Sequence, residues 1–277
     1  MESNLKGLLI KHNVTLKKAF GQNFLTDKNL LNEIVDKAGI TKSDEVLEIG
    51  CGAGALTVAL SNKAKRVVGY EIDTTLKPIL STTLKDCKNV EINFIDIMKE
   101  KVEKVEKKFK DNYVMTANLP YYITTPIVTE FLEKSTKLTA MSIMVQEEVA
   151  NRFCAKEGTS DYGAITVAIN LRGKAEIIKR VNREMFSPVP NVDSAVVKIT
   201  IDREKNKNVN LSRVRDVVRC AFQSRRKMLV NNLINTFKLS RERAEEVLTK
   251  SNISLTARGE TLSAEQFIIL AENLFGV

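Results

Sequence analysis

Gly50, Gly52 and Gly54 stand at alternate positions directly after the apolar run Val46-Leu-Glu-Ile49. Glycine lets a chain turn tightly and lets a ligand reach the backbone with no Cβ in the way. Glu71 closes the next apolar run, 21 residues after Gly50, and Asp96 closes the one after that. A carboxylate in the first place can accept both hydroxyls of a ribose. One in the second can meet an adenine amino group. A dinucleotide site would show Gly-x-Gly-x-x-Gly. The spacing Gly-x-Gly-x-Gly, with Glu48 before it and acids after the second and third runs, points instead to S-adenosylmethionine. Each piece also has a plainer reading. Three glycines can be only a tight turn, and a single acid is about as often a cap or a surface charge.

Ala117-Asn118-Leu119-Pro120-Tyr121-Tyr122 ends a fourth apolar run. An exocyclic adenine amine is a poor nucleophile, because its lone pair is delocalised into the ring. The Asn118 side-chain oxygen and the Leu119 carbonyl can accept its two N–H bonds. They would then favour the pyramidal nitrogen of a transition state over the flat ground state. Pro120 removes a competing N–H and fixes the turn. Tyr121 offers a flat face on which a splayed-out base can stack. Methyl transfer of this kind asks for positioning and desolvation more than acid–base work. The plainer reading is a strand-to-loop turn with a core tyrosine, since Asn and Pro populate turns freely.

The rest of the composition fits such chemistry. The 277 residues contain one histidine, His12, and four cysteines without a Cys-x-x-Cys pair. Zinc clusters and a Ser-His-Asp triad therefore have almost no raw material, and no ligand cluster suggests a metal. With 43% hydrophobic and 28% charged residues the chain can bury a sizeable core. No apolar run approaches the ~18 residues of a membrane helix. The first 20 residues lack the apolar core of a signal peptide. A reducing, cytoplasmic location and a monomer in no membrane are expected.

Elements of alternating type must position these residues. Residues 27–38 place Leu30, Leu31, Ile34, Val35 and Ala38 on one helical face, with Asp27 or Thr26 as N-cap. Residues 45–49, 66–71, 90–95, 113–117 and 141–146 read as strands. Residues 55–64, 75–84 and 126–134 read as helices between them, the last with Pro126 near its first position. Residues 99–110, dense in Lys and Glu, read as a solvated helix or loop. The alternation implies an α/β, Rossmann-like domain with a parallel sheet. Residues 176–181 and 195–201 read as further strands. The polar run 203–210 reads as a linker, and the pattern beyond it is helical. The expected domains are 1–202, with a basic segment over 1–20, and a small all-α domain over 203–277.

Charge follows the same division. Residues 1–20 carry a net +3, residues 21–202 balance 25 basic against 25 acidic side chains, and residues 203–277 carry 14 basic and 8 acidic, a net +6. Uneven charge of this kind suggests a polyanionic partner. Arg213, Arg215, Arg219, Arg225, Arg226 and Lys227 lie on or near one helix with an apolar stripe. Guanidinium groups are planar and always charged, which suits phosphate contacts. For any one arginine a solvated face is the better reading. For the set, with Arg219, Arg225, Arg226 and Lys227 at its centre, RNA backbone contact is favoured.

Gly21-Gln-Asn-Phe-Leu25, the glycine turn, Glu71, Asp96, Asn118-Leu-Pro-Tyr121, Met144-Val-Gln-Glu-Glu-Val-Ala-Asn-Arg152 and Phe186-Ser-Pro-Val-Pro-Asn-Val-Asp-Ser-Ala195 come in that order. Together, from about Lys17 to the C-terminus, they closely resemble the small-subunit (16S) ribosomal RNA adenine N6-dimethyltransferases. The resemblance implies that Asn23 and Leu25 close over the cofactor. Gly50, with Gly52 and Gly54, would cradle its methionine part, Glu71 and Ile72 the ribose, and Asp96 and Ile97 the adenine. Asn118 would stand where cofactor and target meet, and Phe186 would complete an aromatic sandwich with Tyr121. The implied substrate is two adjacent adenosines in a hairpin loop near the 3′ end of 16S RNA, within an immature small ribosomal subunit. Such loop bases are cheaper to splay out than paired ones. Two positions depart from the family pattern. Ile95 replaces a frequent glycine before the aspartate, and Tyr122 replaces a frequent asparagine and is expected to pack in the core. A large-subunit (23S) enzyme of the macrolide-resistance class, and an assembly factor that acts mainly by binding, are the alternatives.

Overall fold

The computed structural model describes Gly7, residues 9–12 and residues 23–276; of Tyr121 it describes the backbone only. Most of the basic N-terminal segment, and Gly21 and Gln22 of the first motif, lie outside the described residues.

The chain divides into two compact units, residues 1–150 with 176–201, and residues 151–175 with 202–277. In the first unit the described elements are β1 (Phe24–Leu25), α1 (Lys28–Ala38), β2 (Glu45–Ile49), α2 (Ala55–Lys63), β3 (Arg66–Tyr70), α3 (Lys77–Thr83), β4 (Val90–Asn93), α4 (Val102–Glu106), β5 (Tyr113–Asn118), α5 (Tyr121–Lys134) and β6 (Leu138–Gln146). A helix α6 (Glu147–Phe153) and, in the second unit, α7 (Ala164–Arg172) follow. The chain then returns through β7 (Gly173–Val181), β8 (Phe186–Ser187) and β9 (Ser194–Ile201). The helices α8 (Leu211–Gln223), α9 (Leu229–Phe237), α10 (Arg241–Lys250) and α11 (Ala264–Phe275) complete the second unit.

Seven described strands form one sheet in the order β4-β3-β2-β5-β6-β9-β7, and β1 pairs with β8 in a separate two-stranded ribbon. The five strands from β4 to β6 run parallel, and β9 is antiparallel to β6. The order reverses between β2 and β5, because the chain first adds strands to one side of β2 and then to the other. Beyond the carboxyl ends of two strands at such a reversal a crevice opens. The α/β, Rossmann-like organisation expected from the alternation is the observed one.

Local chemistry sets the element ends. Asp27 Oδ1 accepts from Leu30 N at 2.9 Å and caps α1, and Gly39 closes it in the left-handed region (φ +77°). The face Leu30, Leu31, Ile34, Val35 and Ala38 is buried as the spacing requires. Burial of each large side chain contributes on the order of 2 kcal/mol. All five residues of β2 are buried, as a central parallel strand demands.

Three sequence expectations change. Pro126 is not near a helix start; α5 begins at Tyr121, so the proline sits inside it. Pro120, extended at φ −53° and ψ 132°, precedes the first turn and lets the helix start directly after the Asn118 strand end. The run 99–110 is not simply solvated. Val102 and Val105 on α4 and Phe109 are buried, and Glu106 is buried against the start of β6. There its carboxylate accepts from Ser135 Oγ at 2.5 Å, Lys137 N at 2.9 Å and the Thr136 hydroxyl at 2.9 Å. Burial alone would push the Glu106 carboxyl up, but these hydrogen bonds together hold it below its ordinary value. Finally, residues 151–175 group with the C-terminal helices, not with the sheet. Tyr162, Val167 and Leu171 share their core with Val214, Val217 and Phe267, and the Tyr162 hydroxyl donates to Leu262 O at 2.9 Å. The second unit therefore draws on two stretches of chain, which a linear domain boundary at 202 does not capture.

Candidate active site

A cavity of about 340 Å3 opens beyond the ends of β2 and β5, within the size range of small-molecule sites. Gly50, Gly52, Glu71, Ile72, Asp96, Ile97, Asn118, Leu119 and Pro120 line it, and so do Asn23, Leu25 and Phe186. Residues spread over more than 160 positions thus meet in one place, because the sheet order brings the ends of β2, β3, β4 and β5 side by side.

The glycine turn follows β2 with positive φ at Gly50 (+79°), Gly52 (+55°) and Gly54 (+87°). A Cβ on Gly50 would lie 3.1 Å from the Asn118 carbonyl oxygen, and one on Gly52 would lie 3.1 Å from the Phe24 ring. The first contact measures how closely the two strand ends approach. Gly54 is placed differently. It does not line the cavity but precedes α2 as its cap, with Leu80 and Thr83 against it.

Glu71 is 5% exposed, and both its oxygens are held by backbone donors. Gly52 N donates to one at 2.8 Å and Asp73 N to the other at 2.8 Å. Burial pushes this carboxyl up, against the pull of those N–H groups. Each oxygen keeps a lone pair, so the carboxylate is oriented and still able to accept hydroxyls. Asp96 has ordinary extended backbone (φ −70°, ψ 107°) despite the preceding Ile95, and its Oδ1 accepts from Met98 N at 3.0 Å. The cavity therefore has a glycine cradle and two oriented acids, which fits a nucleoside-bearing cofactor with a polar amino-acid tail.

The β1–β8 ribbon sets Leu25 opposite Phe186 and Phe24 opposite Ser187. Leu25 and Phe186 are both buried, 4% exposed each. Two motifs far apart in the chain are so joined as one wall. Tyr122 is not in the core as expected. It is 67% exposed and lines the cavity, because the first turn of α5 begins at the cleft. The Tyr121 side chain lies outside what is described.

The cavity also includes Thr116 and Ser142, which the motifs did not single out, and Met144, which opens one of the quoted motifs but was given no role. Thr116 precedes Asn118 by two residues and so shares its face of β5. Ser142 and Met144 are the in-register neighbours of Thr116 and Asn118 on β6. The period of two was the signal available for Thr116; the β6 pair needed the register.

In the second unit, Arg219 on α8 and Arg225, Arg226 and Lys227 in the turn after it are exposed. Among the described residues none of the four has an acidic side chain within ion-pair distance. Arg225 donates to Ser160 O at 2.8 Å.

Comparison with known proteins agrees with this geometry. Residues 13–273 match the family model of the ribosomal RNA adenine dimethylases. The chain is similar to the ribosomal RNA small subunit methyltransferase A of Bacillus licheniformis, 41% identical with 97% of this chain and 94% of that protein covered. It is likewise 41% identical to the protein of that name from Clostridioides difficile, over 96% and 93% of the two chains. A dimethyladenosine transferase from Plasmodium falciparum shares the fold at a TM-score of 0.76 and 26% identity, with 89% of this chain and 95% of that one covered. The 23S rRNA methyltransferase ErmE matches at a TM-score of 0.69 and 28% identity, over 91% and 100%. No described helix is long and apolar enough to cross a membrane. The chain belongs to the ribosomal RNA adenine dimethylase family.

Proposed function

We propose that this protein uses S-adenosylmethionine to dimethylate N6 of two adjacent adenosines in a hairpin loop near the 3′ end of 16S rRNA. It would act as a cytoplasmic monomer on an immature small ribosomal subunit. The observation that carries the proposal is the meeting of the glycine turn and the Asn118 strand end in one cleft, at the point where strand order reverses. Small-subunit relatives at 41% identity over nearly the whole chain favour that substrate over the large subunit.

The bound cofactor supplies an electrophilic methyl group on a sulfonium. The protein's own residues do the rest by position. Asn23, Leu25, Gly50 and Gly52 enclose the cofactor's amino-acid side. Glu71, with Ile72 beside it, accepts the ribose hydroxyls, and Asp96, with Ile97, receives the adenine amine. The Asn118 side-chain oxygen and the Leu119 carbonyl accept the two N–H bonds of the target amine in the first transfer, and one of them its remaining N–H in the second, favouring the pyramidal form. Pro120 holds that turn, and Phe186 and Tyr121 flank the splayed-out base. Buried walls exclude competing water, and the nitrogen, cationic once its new N–C bond forms as the C–S bond breaks, sheds one N–H proton to solvent as the product leaves the cleft. Arg219, Arg225, Arg226 and Lys227 grip phosphates and position the RNA without reading its sequence.

Incubation of the protein with labelled cofactor and each immature subunit tests this. Label is expected in the small subunit. Label in the large subunit alone would select the large-subunit class, and label in neither would leave only a binding role.

A further inference from the structure

Beside the cleft lies the acid that precedes the glycine turn, to which the proposed methyl transfer gives no role of its own. Glu48, in the middle of β2, is fully buried, and neither of its oxygens has a hydrogen-bond partner. Thr57 Oγ1 on α2 and Thr116 Oγ1 on β5 are also buried without partners. Glu48 and Thr116 are in-register neighbours on parallel strands, and Ser142 is the next residue in that row. Thr116 and Ser142 line the cavity, and so does Ile49, which follows Glu48 on β2, whereas Glu48 itself does not. The row is therefore a polar path from the cavity to a lone buried acid.

Every element packed around Glu48 bears on its charge. After burial, the Thr57 hydroxyl has the largest influence and favours ionisation, Glu71 beyond the end of β3 opposes it, and the Cys51 thiol favours it least, with no hydrogen bond of good geometry to either Glu48 oxygen. Burial dominates and pushes the Glu48 carboxyl up to about 8. Burial also keeps the Cys51 thiol protonated. No cationic side chain lies within ion-pair distance of Glu48 among the described residues. At neutral pH the group is a neutral acid awaiting a positive charge.

The cofactor and its product differ by one such charge. S-adenosylmethionine carries a sulfonium, and the product left after methyl transfer carries a neutral thioether. Their amino and carboxylate groups are otherwise the same. A nearby cation favours the ionised form of a buried carboxyl, and a ligand that prefers one protonation state shifts the population toward it. We propose that Glu48 is a positioning residue that reads the charge of the cofactor. It yields its proton to solvent when the sulfonium form occupies the cleft, and takes one back when the thioether remains. The linked proton makes the site prefer the reactive cofactor over its spent product. This rests on the cleft being the S-adenosylmethionine site.

Calorimetric titration at pH 7, in buffers of different ionisation enthalpy, counts protons released per ligand bound. S-adenosylmethionine is expected to release more protons than the thioether product from the unaltered protein. Glu48→Gln should abolish that difference and lower the preference for cofactor over product severalfold. Equal proton counts for the two ligands, or a difference that survives in Glu48→Gln, would overturn the proposal. Should the variant not fold, the unaltered protein still decides, because the difference must vanish well above pH 8, where Glu48 is ionised with either ligand. Failure of both ligands to bind would instead remove the cofactor reading itself.

Discussion

The cleft of the sheet unit and the basic stretch of the helical unit use charge in opposite ways. In the cleft the charged groups are few, acidic and held. Glu71 is fixed by two backbone donors, and Asp96 by the Met98 N–H. Arg219 on α8 and Arg225, Arg226 and Lys227 in the turn after it are exposed, with no acidic side chain in ion-pair distance among the described residues. A third place shows that this is not simply what arginine does on these helices. On α10, Arg241 pairs with Glu245 at 2.8 Å, and Arg243 and Lys250 pair with Glu246 at 2.8 and 2.7 Å. Hydrogen bonds from Lys250 and Arg243 hold the Glu246 carboxyl down at about 2. These α10 cations are already paired, whereas Arg219, Arg225, Arg226 and Lys227 have no acidic side chain in ion-pair distance among the described residues. A small ligand needs a few groups placed to a fraction of an ångström. A polyanion needs several cations placed loosely. In the proposed function the two units divide that work.

The sharpest way to separate the regions is to remove Asn118. Asn118→Ala should lower turnover by ~10²–10³-fold, as loss of one transition-state hydrogen-bonding group does. Affinity for cofactor and RNA should change little, because neither depends on that amide alone. Turnover near that of the unaltered protein, measured by methyl incorporation, would remove the role given to Asn118. Next in size is Glu71→Ala. Loss of even one charge-assisted hydrogen bond, ~1.5–3 kcal/mol, should weaken cofactor binding by about 10- to 100-fold, and loss of both by more, with RNA binding unchanged. Calorimetry with cofactor and a filter-binding assay with RNA would show whether the two losses separate.

Replacing Arg225, Arg226 and Lys227 together with Ala should do the reverse. RNA binding should weaken and its dependence on log salt should flatten by about two, at ~0.7 per phosphate contact on single-stranded RNA. Cofactor affinity should stay as it was. An unchanged slope across a salt series would return these cations to the status of a solvated face. The smallest effect is on stability. Glu48 binds its proton more tightly folded than unfolded, so between pH 4.5 and about 8 its contribution to stability falls as pH rises. That loss is at most ~1.4 kcal/mol per pH unit. Glu48→Gln should therefore gain stability relative to the unaltered protein as pH rises from 6 to 8. Urea denaturation at the two values checks the sign; a constant difference would show that Glu48 does not titrate in that range.

The helical face of α1 was legible in the sequence because one face carried all its apolar residues. The glycine turn was legible because its spacing is tied to a single backbone geometry. Glu71, directly after β3, and Asp96, three residues past β4, could be placed because strand ends deliver the residues that follow them to the cleft. Other features depended on contacts that lie far apart in the chain. Tyr122 reads as a core residue by type, yet the helix that starts at Tyr121 turns it outward at the cleft. Residues 151–175 look like a continuation of the sheet domain, but Tyr162 and Val167 bury themselves among C-terminal helices. The pairing of Leu25 with Phe186 crosses 160 residues and has no local signature. Gly54 shares the motif spacing yet serves the packing of α2 against Leu80 rather than the cavity.

The central claim is that the cleft methylates adenine N6 twice at each of two neighbouring nucleotides. Small subunits isolated before this modification should be treated with the protein and S-adenosylmethionine, and their RNA then digested and analysed by mass spectrometry. Two adjacent N6,N6-dimethyladenosines in a hairpin loop near the 3′ end of the 16S RNA are the predicted result. Methyl groups on another base, on isolated adenosines, or none at all would contradict it.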